Sequence, residues 1–203
     1  AATSDPIPLE PYTHSLRKTI EFMGAEEKAR FRFVTKYNDV DSLLDANHNN
    51  HTEIRFSINT PKIIDIYEHY TASASKRIEA AVKVANAGYQ IGFIIAPVFL
   101  YENWKDEYRD LIKSIKEKLP KDFNQSIIFE VISHRYTTKA KNRINEIYPE
   151  TTLPMNDDNR KFKYGQFGYG KYVYSKEELD DMKDFFKKEI KEIFPDSFIK
   201  YVI

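Results

Sequence analysis

Residues 75–96 read SKRIEAAVKVANAGYQIGFIIA, and two different apolar patterns follow each other in this stretch. Its first half carries apolar residues that recur on one face at helical spacing: Ile78, Ala81, Val82 and Ala85. Gly88 follows in the position of a C-terminal cap. Residues 90–96 then have the length and apolar composition of a buried strand. The stretch therefore predicts a helix that is followed by a buried strand.

The next segment repeats this helix-then-strand unit. Pro120 ends a second helical pattern, whose apolar stripe comprises Trp104, Tyr108, Leu111, Ile112 and Ile115. Residues 126–132 then form another apolar run of strand length. Helices and strands that alternate at this spacing favour a parallel sheet or barrel.

Helical and strand patterns also occur before residue 75. Residues 12–23 place apolar side chains at helical spacing, and we predict that this helix ends at Gly24. Residues 30–37 and 54–59 place successive side chains on alternating sides, which is typical of strands. The N-terminal part of the chain thus fits the same α/β pattern.

The alternation stops after Tyr148. The following residues predict a loop over 149–159, a β-hairpin over 160–174, an amphipathic helix over 176–194 and a terminal strand over 198–203. We therefore expect two parts, residues 1–148 with the α/β alternation and residues 149–203 as an extension.

Composition limits the function of the chain. Its 203 residues include 31 Lys or Arg and 31 Asp or Glu, so any site for a polyanion must be local. It has no cysteine, which excludes disulfides, thiolate nucleophiles and clusters held by its own cysteines. His48 and His51 lack a third ligand at metal spacing, so we expect no metal site. Without a long apolar run or a signal-peptide pattern, we expect a soluble, cytoplasmic protein and no membrane partner.

Polar residues lie at the ends of several predicted strands, where ligands of parallel α/β sheets bind. Lys36 offers a positive charge to a carboxylate or phosphate, and Ser57 offers a hydroxyl group. His134 and Arg135 offer an imidazole and a guanidinium to a phosphate or a substrate. Purely structural roles remain open for each of them. Lys36 fits a solvated lysine, Ser57 a serine bonded to the backbone, and residues 134–135 a structural ion pair.

Residues 160–174 combine basic and aromatic side chains and contain no acidic residue. Basic side chains neutralise phosphates, and exposed rings stack on bases or wedge between them. The same pattern fits a hairpin whose aromatic side chains alternate into the core, with the lysines outside. Gly165, Gly168 and Gly170 favour a loop that approaches a ligand closely, but both hypotheses remain open.

Motifs in order along the chain resemble the spore photoproduct lyase family of radical S-adenosylmethionine (SAM) enzymes. They include FVTKY at 33–37, RFSIN at 55–59, KRIEAAVKVA at 76–85, HR at 134–135 and GYGKYVY at 168–174. The resemblance implies an α/β fold: residues 1–148 are the C-terminal part of a partial (β/α)6 radical SAM barrel, and residues 149–203 are a lesion-contacting hairpin, helix and strand. It also implies a [4Fe-4S] cluster and SAM, which together form a 5′-deoxyadenosyl radical that abstracts hydrogen from a cross-linked thymine dimer in DNA.

The resemblance implies roles for individual residues. Four positions match SAM contacts: Ser4, Lys36, Ser57 and Ala96. The hairpin matches an element that inserts at a flipped lesion, and the implied DNA contacts are Lys163, Tyr164, Gln166, Phe167, Lys171, His134 and Arg135. The cysteines that bind the cluster belong to an N-terminal half that this chain lacks. We therefore expect a fragment that is inactive alone and that needs the missing half as its partner.

Two sites depart from the family pattern. Ala2 takes the place of the cysteine that returns a hydrogen atom to the substrate radical, and its C–H bond is much stronger than the S–H bond of a thiol. Gln166 and Phe167 replace an Arg-Tyr pair at the hairpin tip. Three hypotheses remain: part of a lyase that repairs thymine dimers, a catalytically inactive nucleic-acid-binding module, and a radical SAM paralogue with another substrate. Residues 6–11 also differ from the family, which favours a paralogue.

Overall fold

The computed structural model describes residues 4–165, 168 and 170–203. Its strands are β1 (Phe31–Thr35), β2 (Thr52–Ile58), β3 (Gln90–Val98), β4 (Ile128–Ser133), β5 (Lys161–Tyr164), β6 (Gly170–Val173) and β7 (Phe198–Val202). Five of them form a sheet in the order β1-β2-β3-β4-β7, and every neighbouring pair is parallel. The last strand of the chain therefore completes the sheet that the first half begins.

The helices are α1 (Glu10–Thr13), α2 (Ser15–Ala25), α3 (Pro61–Tyr67), α4 (Ala74–Asn86), α5 (Trp104–Lys118), α6 (Thr138–Ile147) and α7 (Lys176–Ile193). Side-chain oxygens explain where several of them begin. Thr60, Ser73 and Thr137 accept hydrogen bonds from first-turn N–H groups of α3, α4 and α6. Ser175 and Glu178 form a reciprocal capping box at the start of α7.

The two faces of the main sheet differ in character. One face packs with the apolar stripes of α2, α4, α5 and α7 in a single core and buries a row of phenylalanines: Phe33, Phe56, Phe93 and Phe129. Alternate residues of the strands point to the other face, which carries Arg55, Ser57 and Glu130. Burial of each phenylalanine stabilises the fold by roughly 1.5–3 kcal/mol, so the apolar face contributes strongly to the stability of the sheet.

Strands β5 and β6 form a separate antiparallel hairpin. Lys163 pairs with Lys171 across it, and Tyr164 pairs with Gly170. A backbone bridge joins the hairpin to the segment after β4, where the N–H of Tyr172 donates to the carbonyl oxygen of Tyr136 at 2.7 Å. The hairpin is thus attached beside the carboxyl end of β4.

The structure confirms the predicted α/β class with parallel strands, the hairpin within residues 160–174, and the helix and strand that follow it. Helices α3 and α6 are absent from the sequence-based prediction. Helix α3 has only 7 residues, and α6 has no buried side chain that would mark a core-facing stripe.

The predicted end of the first helix at Gly24 is wrong. Gly24 lies inside α2, which continues to Ala25. A Cβ atom on Gly24 would lie 2.4 Å from the carbonyl oxygen of Asn47. The amide of Asn49 also donates to the carbonyl oxygen of Gly24 at 3.0 Å. Glycine is therefore required here by the close approach of another backbone segment, and not by a turn.

We expect Gly24→Ala to lower the free energy of unfolding by about 1–3 kcal/mol, because the added methyl group would push against backbone atoms of Asn47. Urea titration of the purified protein measures this change. Ala25→Ser, at an exposed position of the same turn, is the control and should change stability by less than about 0.5 kcal/mol. Equal stability of Gly24→Ala and the wild type would contradict the close contact.

Candidate functional site

The parallel register brings three predicted site residues to one edge of the main sheet. Ser57 pairs with Ile94 of β3, and Lys36 follows directly after β1 at the level of Ser57. Ala96 lies two residues beyond Ile94 on the same strand. The carboxyl edge of β1–β3 is therefore the candidate site, in the position where ligands of parallel α/β sheets bind.

Lys36 is held at this edge through its backbone and its side chain. Its N–H donates to Oδ2 of Asp5 at 2.7 Å, which brings the neighbouring Ser4 to the end of β1. Its ammonium nitrogen lies 2.9 Å from Oε1 of Glu68, and 35% of the side chain remains exposed. The structure thus places Ser4 and Lys36 together, with the Lys36 side chain only partly buried.

A fully buried arginine connects the parts of this edge. Arg77 of α4 donates from Nη1 to the carbonyl oxygen of Ser57 at 2.9 Å, from Nη2 to Oε2 of Glu68 at 2.7 Å, and from Nε to the carbonyl oxygen of Ala72 at 2.7 Å. The N–H of Ala72 in turn donates to the carbonyl oxygen of Lys36 at 3.2 Å. The sequence did not identify Arg77 or Glu68 as site residues.

Asn59 serves the structure of the edge rather than a ligand. Its amide donates to the carbonyl oxygen of Pro97 at 2.7 Å, and its Oδ1 accepts from the hydroxyl of Tyr108 at 2.7 Å and the N–H of Thr60 at 3.0 Å. Burial raises the pKa of Tyr108 well above its ordinary value, so its hydroxyl remains a donor. The last part of β3, where the peptide bond between Ala96 and Pro97 is cis, is thereby attached to the end of β2.

Charged side chains also lie on the polar face of the sheet, below the candidate edge. Arg55 pairs with Glu53, and its Nη1 lies 2.6 Å from Oε1 of Glu130. Lys200 of β7 lies 3.2 Å from the same oxygen. Two cations thus balance two carboxylates, which allows these buried charges to persist without a net charge.

His134 is buried and Arg135 is exposed, so the two side chains do not line one common site. The ring of His134 is buried and stacks on Phe99 with centroids 4.5 Å apart, whereas Arg135 is exposed. Arg160 donates to the carbonyl oxygen of His134 at 3.0 Å, and its Nη2 lies 3.3 Å from Nδ1. Burial and, second, the charge of Arg160 lower the pKa of His134 to about 4, so the ring is neutral at neutral pH.

The hairpin keeps two aromatic rings at the surface. Phe162 is 48% exposed and Tyr164 is 76% exposed, so these rings do not alternate into the core. Lys163 and Lys171 face each other across the two strands. Because side chains alternate along a strand, the exposed rings lie on one face of the hairpin and the paired lysines on the other. Three other predicted site residues lie outside the described part of the chain: Ala2, Gln166 and Phe167.

A continuous row of rings links the end of β3 to the hairpin. His134, stacked on Phe99, lies 5.7 Å from Tyr136 between ring centroids. Tyr136 stacks on Tyr172 at 5.3 Å, and Tyr172 meets the edge of Phe162 at 5.1 Å. Aromatic pairs at these separations prefer defined geometries. The row therefore fixes the orientation of the hairpin relative to the sheet edge.

The two loop histidines bond to backbone carbonyl groups. Nε2 of His48 lies 3.0 Å from the carbonyl oxygen of Ala87, and Nδ1 of His51 lies 2.9 Å from that of Met23. Within residues 4–165, 168 and 170–203, no group of three or more His, Asp or Glu side chains could hold a metal ion. None of the described helices is both long and apolar enough to cross a membrane.

The sheet edge fits the methionyl part of SAM. Lys36 supplies a cation for a carboxylate. Oε1 of Glu68 is buried and lies 2.9 Å from the Lys36 ammonium, so an ion pair restrains this cation at the edge. The chain does not fit an iron–sulfur cluster, since it contains no cysteine to ligate one.

Comparison with known proteins identifies relatives along the whole sequence. The family model described as spore photoproduct lyase matches residues 1–203. A spore photoproduct lyase from Clostridium acetobutylicum is 55% identical over 203 residues, and one from Bacillus subtilis is 43% identical over 201 residues. These alignments cover 100% and 99% of the chain but only 60% and 59% of the relatives. The chain thus spans about 60% of the length of the curated relatives that it matches.

Solved structures of spore photoproduct lyase share the fold. A variant with bound AdoMet and dinucleoside spore photoproduct matches with a TM-score of 0.95 and 44% identity, over 100% of this chain and 60% of that one. A complex with dinucleoside spore photoproduct matches with a TM-score of 0.95 and 43% identity over the same shares. The similarity confirms that the parallel sheet is part of a barrel of this type.

We expect Arg160→Met to raise the pKa of His134 from about 4 toward its ordinary value, because the neighbouring positive charge is removed. NMR titration of the imidazole resonances measures this shift. Arg143→Met, which removes an exposed charge on α6, is the control and should leave the titration unchanged. An unaltered His134 titration in Arg160→Met would contradict the assigned cause.

The same shift predicts a pH dependence of stability. The pKa of His134 is about 4 in the folded state and about 6.5 in the unfolded chain, so the unfolded state binds more protons between these values. Stability should therefore rise with pH from about 4 to 6.5. His134→Gln should reduce this slope in urea titrations at a series of pH values, and an unchanged slope would show that other groups cause it.

Proposed function

The chain belongs to the spore photoproduct lyase family, and from this we propose that the protein of which it forms part repairs cross-linked thymine dimers in DNA. The observation that carries the proposal is the similarity, over 100% of this chain, to a spore photoproduct lyase solved with AdoMet and dinucleoside spore photoproduct. Because the chain lacks cysteine, a [4Fe-4S] cluster would be ligated outside these residues. That remaining part of the protein is then an obligatory partner of the chain.

In this proposal, residues 1–148 bind SAM at the carboxyl edge of β1–β3. Lys36, whose side chain is 35% exposed, donates to the methionyl carboxylate. Ser57 and Ala96 line the same edge, and Ser4 closes it beside the end of β1. The bound SAM supplies the hydrogen-abstracting radical that the family resemblance implies, while these residues orient it and exclude water.

Within residues 149–203, the hairpin contacts DNA in this proposal, whereas α7 packs into the core and β7 returns to the main sheet. The chain as a whole carries 31 cationic and 31 anionic side chains, so attraction to DNA must come from a local surface. The hairpin offers one, since Lys163 and Lys171 pair on one of its faces, and Tyr164 on the other face is 76% exposed. The lysines neutralise phosphates, and the exposed ring stacks on a base beside the lesion.

Ala2 favours a second candidate, a radical SAM paralogue with an altered final step or substrate. A lyase that uses a cysteine at this position returns a hydrogen atom from the thiol to the thymine radical. The methyl group of Ala2 cannot do this, because its C–H bond is much stronger than an S–H bond. The hydrogen atom must then come from another thiol or from an added reductant, or the substrate must differ.

The first prediction of the proposal concerns the reaction. The full-length gene product, reconstituted anaerobically with its cluster, should form 5′-deoxyadenosine only in the presence of dimer-containing DNA, and the dimer should revert to two thymines. Lys36→Met should lower the rate by at least about tenfold if the carboxylate contact orients SAM. Cleavage of SAM without any thymine product would favour the paralogue, and no cleavage at all would contradict radical chemistry.

A second prediction concerns the hairpin. Replacing Lys163 and Lys171 together by Ala should weaken DNA binding by the full-length protein and reduce the slope of log K against log salt by about 2, roughly one unit for each phosphate contact. Fluorescence anisotropy with labelled DNA at several salt concentrations measures both quantities. Lys187→Ala, at an exposed position of α7, is the control and should change neither. An unchanged slope in the double variant would exclude the hairpin as the phosphate-contacting surface.

A further inference from the structure

We propose that Arg77 and Glu68 form a buried ion pair whose role is to position Lys36 and Ser57 for SAM. This inference rests on the proposed function, because it assigns Lys36 and Ser57 to the SAM site. Neither Arg77 nor Glu68 is among the contacts implied by the family resemblance. Both act through other residues and are therefore positioning residues.

One side chain, that of Arg77, joins several elements of the site. Arg77 is fully buried, and its Nη2 also lies 2.7 Å from Oγ1 of Thr71, in addition to its bonds to Ser57, Glu68 and Ala72. These partners come from the end of β2 and from the segment of residues 68–72. A single planar guanidinium thus sets the distance between the end of β2 and the segment that holds Lys36.

Two routes of contacts connect Lys36 to Arg77. The side-chain route runs through Glu68, whose Oε2 accepts from Arg77 and whose Oε1 lies 2.9 Å from the Lys36 ammonium. The backbone route runs through Ala72, whose carbonyl oxygen accepts from Arg77 and whose N–H donates to the carbonyl oxygen of Lys36. Displacement of the guanidinium would therefore move both the main chain and the ammonium group of Lys36.

The net contribution of the Arg77–Glu68 ion pair to stability also favours a positioning role. A buried ion pair contributes little net stability, because the cost of removing two charges from water offsets their attraction. The Glu68 side chain is only 6% exposed and the Arg77 side chain 0%, so both carry that cost. A lysine has several freely rotating bonds, and a neighbour that restrains the ammonium group lowers the entropy lost when a ligand binds. Positioning of Lys36 accounts for a charge pair that stability alone does not require.

The chain offers a matched control pair. Arg109 of α5 donates to both carboxylate oxygens of Glu189 of α7, at 2.9 Å and 3.1 Å. This is also an arginine–glutamate pair between two elements, and the Glu189 side chain is 9% exposed. It joins two helices and contacts none of the residues assigned to SAM. Its removal reports what the loss of such a pair does to the protein in general.

The test uses the full-length protein reconstituted with its cluster and measures the dissociation constant of SAM by calorimetry. Arg77→Lys keeps the charge but cannot reach the carbonyl oxygens of Ser57 and Ala72 together with Glu68, so we expect the dissociation constant to rise about tenfold. Arg109→Lys should leave it within about twofold, since it disturbs only a distant pair. Folded Arg77→Lys protein that binds SAM as tightly as the wild type would overturn the inference.

Glu68→Gln provides a second test that tolerates a folding defect of Arg77→Lys. We expect it to raise the dissociation constant of SAM about fivefold in the wild-type background and to have no further effect in Lys36→Met, because Glu68 acts through Lys36. Equal effects in both backgrounds would mean that Glu68 has a general structural role. Unchanged or tighter binding in Glu68→Gln alone would also overturn the inference.

The two proposals fail differently in these experiments. If the wild-type protein does not bind SAM, the proposed function falls, and the positioning role falls with it. If the wild type binds SAM and the Arg77 and Glu68 variants match it, only the positioning role falls. If Arg77→Lys weakens SAM while its affinity for DNA stays at the wild-type value, both proposals stand.

Discussion

Parallel pairing of β1, β2 and β3 is the constraint on which the candidate site depends. In such a sheet all strands end at the same edge, so residues far apart in sequence meet there. Lys36 and Ala96 are separated by the whole of β2, α3 and α4, yet the register places Lys36 at the level of Ser57 and Ala96 two residues beyond that level. Antiparallel pairing of any two of these strands would send one of the three residues to the opposite end of the sheet.

The two faces of the main sheet differ in their contribution: one is apolar and stabilises the fold, and the other carries charged side chains. The face with Phe56 and Phe93 is closed by helices and supplies most of the apolar burial. The other face holds Arg55 and Glu130 in a balanced set of buried charges. At the carboxyl edge this polar face continues into the ion pairs of Lys36 and into the row of rings that leads to the hairpin. Buried rings, among them Phe99, His134 and Tyr136, thus connect the proposed SAM edge to the hairpin of the proposed DNA contact.

The sequence predicts elements well where a periodic apolar pattern exists. Helices α4 and α7 carry stripes that become buried, such as Ile78 and Phe186, and both were predicted. Helix α6 has no buried side chain, so it leaves no stripe to detect. Gly24 resembled a helix cap in sequence, because its contact with Asn47 arises only after the chain folds.

The site was predicted only in part, for a physical reason. Lys36 and Ser57 were found because strand ends are recognisable from sequence. Arg77 and Glu68 were missed because a charged residue is normally solvated. One signal was present: Arg77 lies four residues before Ala81, on the apolar side of α4. The partners that make its burial tolerable lie in residues 57–72, and only the tertiary structure brings them together.

A crystal structure of the full-length protein with SAM would show whether the carboxyl edge of β1–β3 binds this cofactor. We predict the methionyl carboxylate within about 3.5 Å of the Lys36 ammonium, with Glu68 still paired to Arg77 and the adenosine portion over Ser57 and Ala96. SAM bound at another place, without contact to Lys36 or Ser57, would exclude this edge as the SAM site.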